Sequence, residues 1–415
     1  MINGADTAWL LVSGLLVLFM TPGLALFYGG MVRAKSALNM MMMSFSAMAV
    51  VTLIWVLYGY SLAFGEDHGG LIGSLKHLGL RDTLSSTFGA EGHQTPTLAF
   101  SMFQLTFAII TVALLSGTIA DRVKFSSWLI FVGAWITLVY VPISHWVFAP
   151  GGWITSKLGA LDFAGGTVVE INSGASALAL ALVIGPRMGF KRDPMRPHNM
   201  PLVLLGAGIL WFGWFGFNGG SALTVGALAS TAVINTQIAA SAAAITWILT
   251  EKIRDGKATT LGIASGAVAG MVAITPACGF VNPFGALIIG LLSGATSAWA
   301  VSMKYKLGYD DSLDVVGVHG VSGLLGMLAI GFLGTVTANA SGANGFFAGG
   351  GFALLSKQAV ASITCGIFAF VMTFIIAKLI ESLIGFRAKS EDESNGLDQT
   401  YHAETAYDFS SISIR

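Results

Sequence analysis

Glu170 and His319 are the residues of this 415-residue chain whose surroundings most strongly imply chemistry. Each stands in the middle of a run of apolar residues and glycine. An ionisable group at the centre of a lipid bilayer costs about 2.5–3.5 kcal/mol on insertion scales. Such groups are kept where they face a path or a partner. A carboxyl and an imidazole can share a proton and pass it on. Gly166, Glu170 and Gly174 are spaced four apart, as are Val315, His319 and Gly323, so each set shares one helix face. Stripes of small residues let helices cross closely. One reading is a polar pair lining a narrow apolar path. The plainer one is a hydrogen-bonded pair that only locks two helices together.

Aromatic residues are the second signal. Phe103 and Phe107 lie four apart, and a later segment reads Trp211-Phe-Gly213-Trp214-Phe215-Gly216-Phe217. Any one of these rings is best read as core packing or an interfacial belt. A cluster of them could instead hold a cation on ring faces, worth about 0.5–2 kcal/mol each. A cation site beside an apolar path with a proton-exchanging pair suits a small cation that can shed a proton. Asp162 and Asp314 stand near the starts of their segments, where an Asp caps a helix for roughly 1 kcal/mol. Gly320-Val-Ser322-Gly323 resembles a weak hydrolase pattern, with His319 as base to Ser322 and Glu170 as orienter, but no oxyanion site accompanies it. His145 and His319 show no metal-ligand or haem spacing.

The elements that position these residues follow from composition. The chain is 54% hydrophobic and 10% charged, against roughly a quarter charged in soluble domains. Glycine supplies 53 residues, near twice the usual ~7%, as tightly packed membrane helices require. Lys+Arg and Asp+Glu are 21 each, so nothing points to nucleic acid. Cys278 and Cys365 fit neither a disulfide framework nor a zinc site, and no cofactor is expected. A spanning helix needs about 20 mostly apolar residues. Eleven stretches qualify: 7–30, 42–64, 98–119, 126–149, 164–185, 200–221, 226–250, 259–276, 284–303, 313–334 and 353–380. No basic region precedes the first, so it does not read as a signal peptide.

Seventeen of the 21 Lys and Arg residues fall in one set of connections and ends, from Arg33 and Lys35 to Arg415; the other set holds only Lys76, Arg81, Lys157 and Lys357. The positive-inside rule makes the first side cytoplasmic, with the N-terminus out and the C-terminus in. Residues 65–97 form a long outer loop. Residues 1–384 are the membrane domain and 385–415 a polar cytoplasmic tail. The expected class is an all-α multi-pass membrane protein.

Two stretches look alike. Glu170-Ile-Asn-Ser173-Gly174 in the fifth span parallels His319-Gly-Val-Ser322-Gly323 in the tenth, with Asp162 and Asp314 upstream. Phe27-Tyr-Gly29-Gly30 in the first parallels Phe217-Asn-Gly219-Gly220 in the sixth. A separation of five spans is odd, so the halves run in opposite directions, as in inverted-repeat transporters whose sites lie between the halves.

With those motifs in view, the chain resembles the Amt/Mep/Rh ammonium transporter family, bacterial Amt proteins most of all. The resemblance is carried by Thr21-Pro-Gly-Leu-Ala-Leu-Phe-Tyr-Gly-Gly30, Asp162-Phe-Ala-Gly-Gly-Thr-Val-Val169, Gly213-Trp-Phe-Gly-Phe-Asn218, Thr275-Pro-Ala-Cys-Gly279 and Asp314-Val-Val-Gly-Val-His-Gly320. Gly396-Leu-Asp398, His402, Glu404 and Tyr407 match its C-terminal signature, with His-Ala-Glu in place of His-Gly-Glu.

The resemblance implies eleven spans in a five-plus-five inverted repeat, a pore in each subunit of a homotrimer, and residence in the plasma (inner) membrane. It implies an outer ammonium site of Phe103, Phe148 and Ser221 supported by Asp162, a phenyl gate of Phe107 and Phe217, and Trp214 on the pore wall. Two facing histidines are expected below the gate. Here Glu170 takes the place of the first, as in fungal members, and His319 matches the second. Phe148 stands where Trp is usual, with Trp146 and Trp153 close by. A PII-type regulatory protein is the expected cytoplasmic partner. The alternative is an ammonium sensor with little flux.

Overall fold

The computed structural model describes residues 1–407. Residues 408–415, with Arg415 of the basic set, lie outside the described residues. Ten helices among the described residues are long and apolar enough to cross a membrane. They are α1 (Gly4–Met31), α2 (Ala34–Phe64), α3 (Thr97–Leu115), α4 (Phe125–Phe148), α5 (Gly166–Ile184), α6 (Met200–Gly220), α7 (Ala227–Asp255), α9 (Pro283–Leu307), α10 (Val316–Leu333) and α11 (Ala353–Leu383). The eighth expected stretch is α8 (Thr260–Ile274), with 15 residues. At 1.5 Å per residue it covers only about 22 Å. Pro276 brings no N–H to continue it, and turns lead on to the N-cap Asn282 of α9. From Ala264 onward every residue of α8 is buried. Beyond its first turn it packs centrally, with no face left for lipid.

Small residues set the close crossings. A Cβ built on Gly206 of α6 would lie 2.3 Å from Phe27 N of α1, one on Gly213 2.2 Å from Met20 Cγ, and one on Gly220 2.5 Å from Ser13 Cβ. The numbers rise along α6 as they fall along α1, so the two helices are antiparallel. The α5–α10 crossing behaves alike: Gly174 meets Gly320, Gly323 meets Glu170, and Gly166 meets Met327. Both pairs are five segments apart and antiparallel, the relation an inverted repeat requires.

The register of that repeat differs from the one expected. Asp162 accepts from Gly165 N, Gly166 N, Thr167 N and Thr167 Oγ1 and so caps α5. Its counterpart is Asp311, not Asp314. Asp311 Oδ2 accepts from Val316 N at the start of α10, as Asp162 does from Thr167 N five residues on. The Asp162–Asp311 separation equals the 149 positions between Glu170 and His319. Asp314 turns away at a left-handed φ of 65° and pairs with Lys304 at 2.6 Å.

Most of the 65–97 loop is irregular, with two short antiparallel ladders, Asp67–His68 on Ile72–Gly73 and Thr87–Phe88 on Thr95–Pro96. Buried His145 holds it, with Nδ1 to Ala63 O at 2.8 Å and Nε2 to Asp67 Oδ1 at 2.9 Å. At the opposite end the tail folds back over the helix ends. Asp398 accepts from Leu38 N and Asn39 N, His402 Nε2 meets Asn39 Oδ1, and Glu393 accepts from Met188 N. Residues of the larger basic set gather there: Arg33 pairs with Asp121, Arg187 with Asp310, and Arg387 with Glu393.

Candidate functional site

Both ionisable residues lie where their helices begin in a wide π turn, Gly166–Ile171 for Glu170 and Val316–Gly320 for His319. Such turns break the even face of a helix and recur at functional sites. The turns and the Gly174–Gly320 crossing bring the side chains together. Glu170 Oε2 and His319 Nδ1 are 2.7 Å apart, and both residues are buried. A hydrogen bond of that length has its proton on either the ring nitrogen or the carboxyl oxygen. Glu170 Oε1 is buried and unpartnered, and His319 Nε2 makes no hydrogen bond among the described residues.

Glu170 and His319 line a narrow cavity of about 20 Å³ together with Trp214, Phe217, Tyr28 and apolar side chains of α1, α3 and α8. A single water needs roughly 10–15 Å³ on this measure. The space therefore fits one molecule of water or ammonia size. Trp214 Nε1 donates to Thr275 Oγ1 at 2.9 Å, which spends its polar edge away from the cavity.

Phe217 closes the top of this cavity. Its ring stacks on Phe107 with centroids 4.2 Å apart and planes tilted 36°. Phe107 in turn packs edge-on against Phe103 at 4.9 Å. Beyond the ring pair, on the side of the 65–97 loop, lies a second cavity of about 80 Å³. Phe103, Phe107, Phe148 and Ser221 line it. Ser221 Oγ donates its one proton to Phe217 O at 2.8 Å, so the hydroxyl offers only lone pairs to anything in the cavity. Trp146 and Trp153 do not line it. They pack on each other, and Trp146 Nε1 donates to Leu71 O.

Of the expected residues, eight line one or the other cavity. Asp162 lines neither, because its carboxylate is spent on the α5 cap. The site also holds residues that the sequence reading passed over. Phe88 comes from the loop and stacks on Phe100 at 3.6 Å, and Gln104 and Phe163 join the larger cavity. Gln104 beside Phe103 was the one legible signal, an amide side chain in a span whose other polar residues are Ser and Thr. The hydrolase reading fails on geometry: Ser322 Oγ bonds to Ser297 Oγ at 2.7 Å and Ser293 Oγ at 3.1 Å, not to His319.

The arrangement is an aromatic-walled chamber, a closed ring pair, and a smaller, mostly apolar cavity lined by a hydrogen-bonded carboxyl and imidazole. The family model described as Ammonium Transporter Family matches residues 8–407. The chain belongs to the ammonium transporter family. The ammonium transporter of Mycobacterium tuberculosis (strain ATCC 25618 / H37Rv) is 52% identical over 98% of this chain and 91% of its own length. That of Bacillus subtilis (strain 168) is 48% identical over 97% of this chain and 98% of its own. The crystal structure of Candida albicans Mep2 superposes with a TM-score of 0.88 at 32% identity, covering 94% of this chain and 88% of that one. This member of the ammonium transporter family is thus a multi-pass membrane protein.

Proposed function

We propose that this ammonium transporter family protein recruits ammonium in the Phe103–Phe148–Ser221 cavity, takes its proton there or at the ring pair, and passes ammonia through the cavity that ends on Glu170 and His319. The observation that carries this reading is the Phe107–Phe217 stack between the two cavities. Ring faces and the Ser221 lone pairs replace part of the ion's hydration. The apolar space beyond the rings penalises the charged form, as burial penalises a lysine ammonium. Neutral ammonia enters it without that cost.

Glu170 occupies the position of the family's first pore histidine, so the proton-sharing group is an acid facing an imidazole. The proton that ammonia leaves behind goes to water at the mouth of the outer cavity, and transport is electrogenic only when that proton also crosses; the pair is the group that can accept it and pass it on along that second route. Asp162 supports the ion chamber indirectly, by fixing the first turn of α5.

The same proposal takes α8 as an eleventh span, completing a five-plus-five repeat and one extra helix. The N-terminus is outside and the basic end faces the cytoplasm of a plasma-membrane protein. Residues 1–384 are the transport domain and 385–415 the cytoplasmic tail. Assembly is a homotrimer, and the inner face with its tail is the docking surface for a PII-type regulator. The alternative, an ammonium sensor with little flux, is not favoured, because the relatives above are transporters by name.

Purified protein in liposomes tests the central claim. An inward ammonium gradient is expected to give a current that empty vesicles do not show, with no internal alkalinisation beyond the leak of ammonia through lipid, because the relayed proton arrives with the ammonia. No protein-dependent current and no protein-dependent pH change from well-oriented protein would remove the transport reading.

A further inference from the structure

We infer that Gln104 is a ligand of the ammonium chamber, supplying its amide oxygen as a second acceptor beside Ser221 Oγ. The inference rests on the transport reading and deepens it. Gln104 and Ser221 bring the polar side chains to a chamber otherwise walled by phenylalanines and Leu223. Gln104 is only 7% exposed, and its Oε1 is buried without a hydrogen-bond partner among the described residues.

Neighbouring hydroxyls on α3 do not serve it. Thr106 Oγ1 donates to Phe103 O and Thr111 Oγ1 to Phe107 O. A buried acceptor left empty costs stability that a Leu or Met of similar size would not. What would use it is a donor.

Ammonium is the donor that fits. It carries four N–H groups and no lone pair. Ser221 has already spent its proton on Phe217 O, so it too can only accept. Two acceptors and several ring faces satisfy such a cation at its different corners. The last torsion of a glutamine is broad and roughly two-fold. Rotation about it turns the oxygen toward an ion in the chamber and the NH₂ away. An oxygen accepting from a cation makes a stronger hydrogen bond than one between neutral groups.

The test compares Gln104→Met and Gln104→Glu with the parent in liposomes, reading flux against ammonium concentration. A second readout is the rise in melting temperature that ammonium, but not sodium, gives the protein in detergent. Gln104→Met is expected to raise the half-saturating concentration about tenfold, a loss in the range of one charge-assisted bond. Its limiting rate stays within about twofold, because Gln104 lies above the ring pair and outside the cavity that ends on Glu170. Its ammonium-induced melting shift shrinks, and Gln104→Glu keeps or enlarges that shift. A parent half-saturating concentration in either folded variant, with flux intact, overturns the role of Gln104. No flux from the parent overturns the transport reading instead, and the melting shift then decides whether Gln104 binds the ion.

Discussion

A Cβ built on Gly174 would lie 2.2 Å from Gly320 Cα. No side chain fits between those two backbones, and this contact sets the distance at which Glu170 and His319 meet. Gly174→Ala therefore forces α5 and α10 apart. Overpacking of this kind costs about 1–3 kcal/mol. A fall in the melting temperature in detergent is expected, with ammonium flux reduced at least about tenfold as the pair separates. Wild-type stability and flux in the variant would show that the crossing tolerates the methyl group.

Glu170→Gln keeps the size of the side chain and a hydrogen bond to His319 Nδ1, but it removes the acid that shares the proton. The current carried by an ammonium gradient is expected to fall at least about tenfold, the scale of a lost proton-transfer group. The half-saturating concentration should stay within about twofold, since Glu170 is beyond the ring pair from the ion chamber. Current and internal pH recorded together on the same liposomes check both. An unchanged current would exclude the relay.

Phe148 lines the chamber, at the position where the family resemblance leads one to expect Trp. Indole offers a better face to a cation than phenyl, by about 0.5–1 kcal/mol at a partly exposed site. Phe148→Trp is expected to lower the half-saturating ammonium concentration two- to fivefold, on the order of that difference. Equal concentration dependence in the two proteins would mean that this ring does not hold the ion.

Asp310 anchors the basic end of the bundle. Arg187 reaches its carboxylate with Nε and Nη2, both at 2.9 Å. Burial by itself would push the carboxyl up, but the Arg187 hydrogen bonds and the charges of Arg122 and Arg187 outweigh it and hold Asp310 below the usual carboxylate range. A group held lower in the folded than in the unfolded chain stabilises fully above its unfolded value of about 3.9, and that stability is lost as the pH falls through the folded value. Removing one partner of a buried pair costs about 3–5 kcal/mol. Asp310→Asn should therefore unfold at lower temperature at pH 7, with the gap to the parent closing below about pH 4. Tryptophan fluorescence melts across that range read it. A gap of constant size would mean that Asp310 is not ionised in the fold.

The sequence by itself determined the class of the protein and where its chemistry could lie. Length and apolarity of segments are local properties imposed by the bilayer, so ten segments emerge as spanning helices at nearly the expected places. The eighth is a 15-residue helix buried beyond its first turn, which only its neighbours, and not its own composition, decide. Glu170 and His319 were legible because an ionisable group in such a segment is costly, and their glycine stripes announced a close crossing.

The tertiary structure alone decided which partners meet. Whether Asp311 or Asp314 caps α10 turns on a left-handed backbone at Asp314 and on a lysine ten residues upstream. That Phe148 and not Trp146 enters the chamber depends on Leu71, in a distant loop, accepting the Trp146 N–H. That Phe107 and Phe217 close on each other depends on α3 and α6, more than a hundred residues apart in sequence, both packing on α1. Composition and period report how deeply a residue is buried, since burial follows from its own chemistry and its helix face. They do not report against what, because that is settled by long-range packing of many such faces at once.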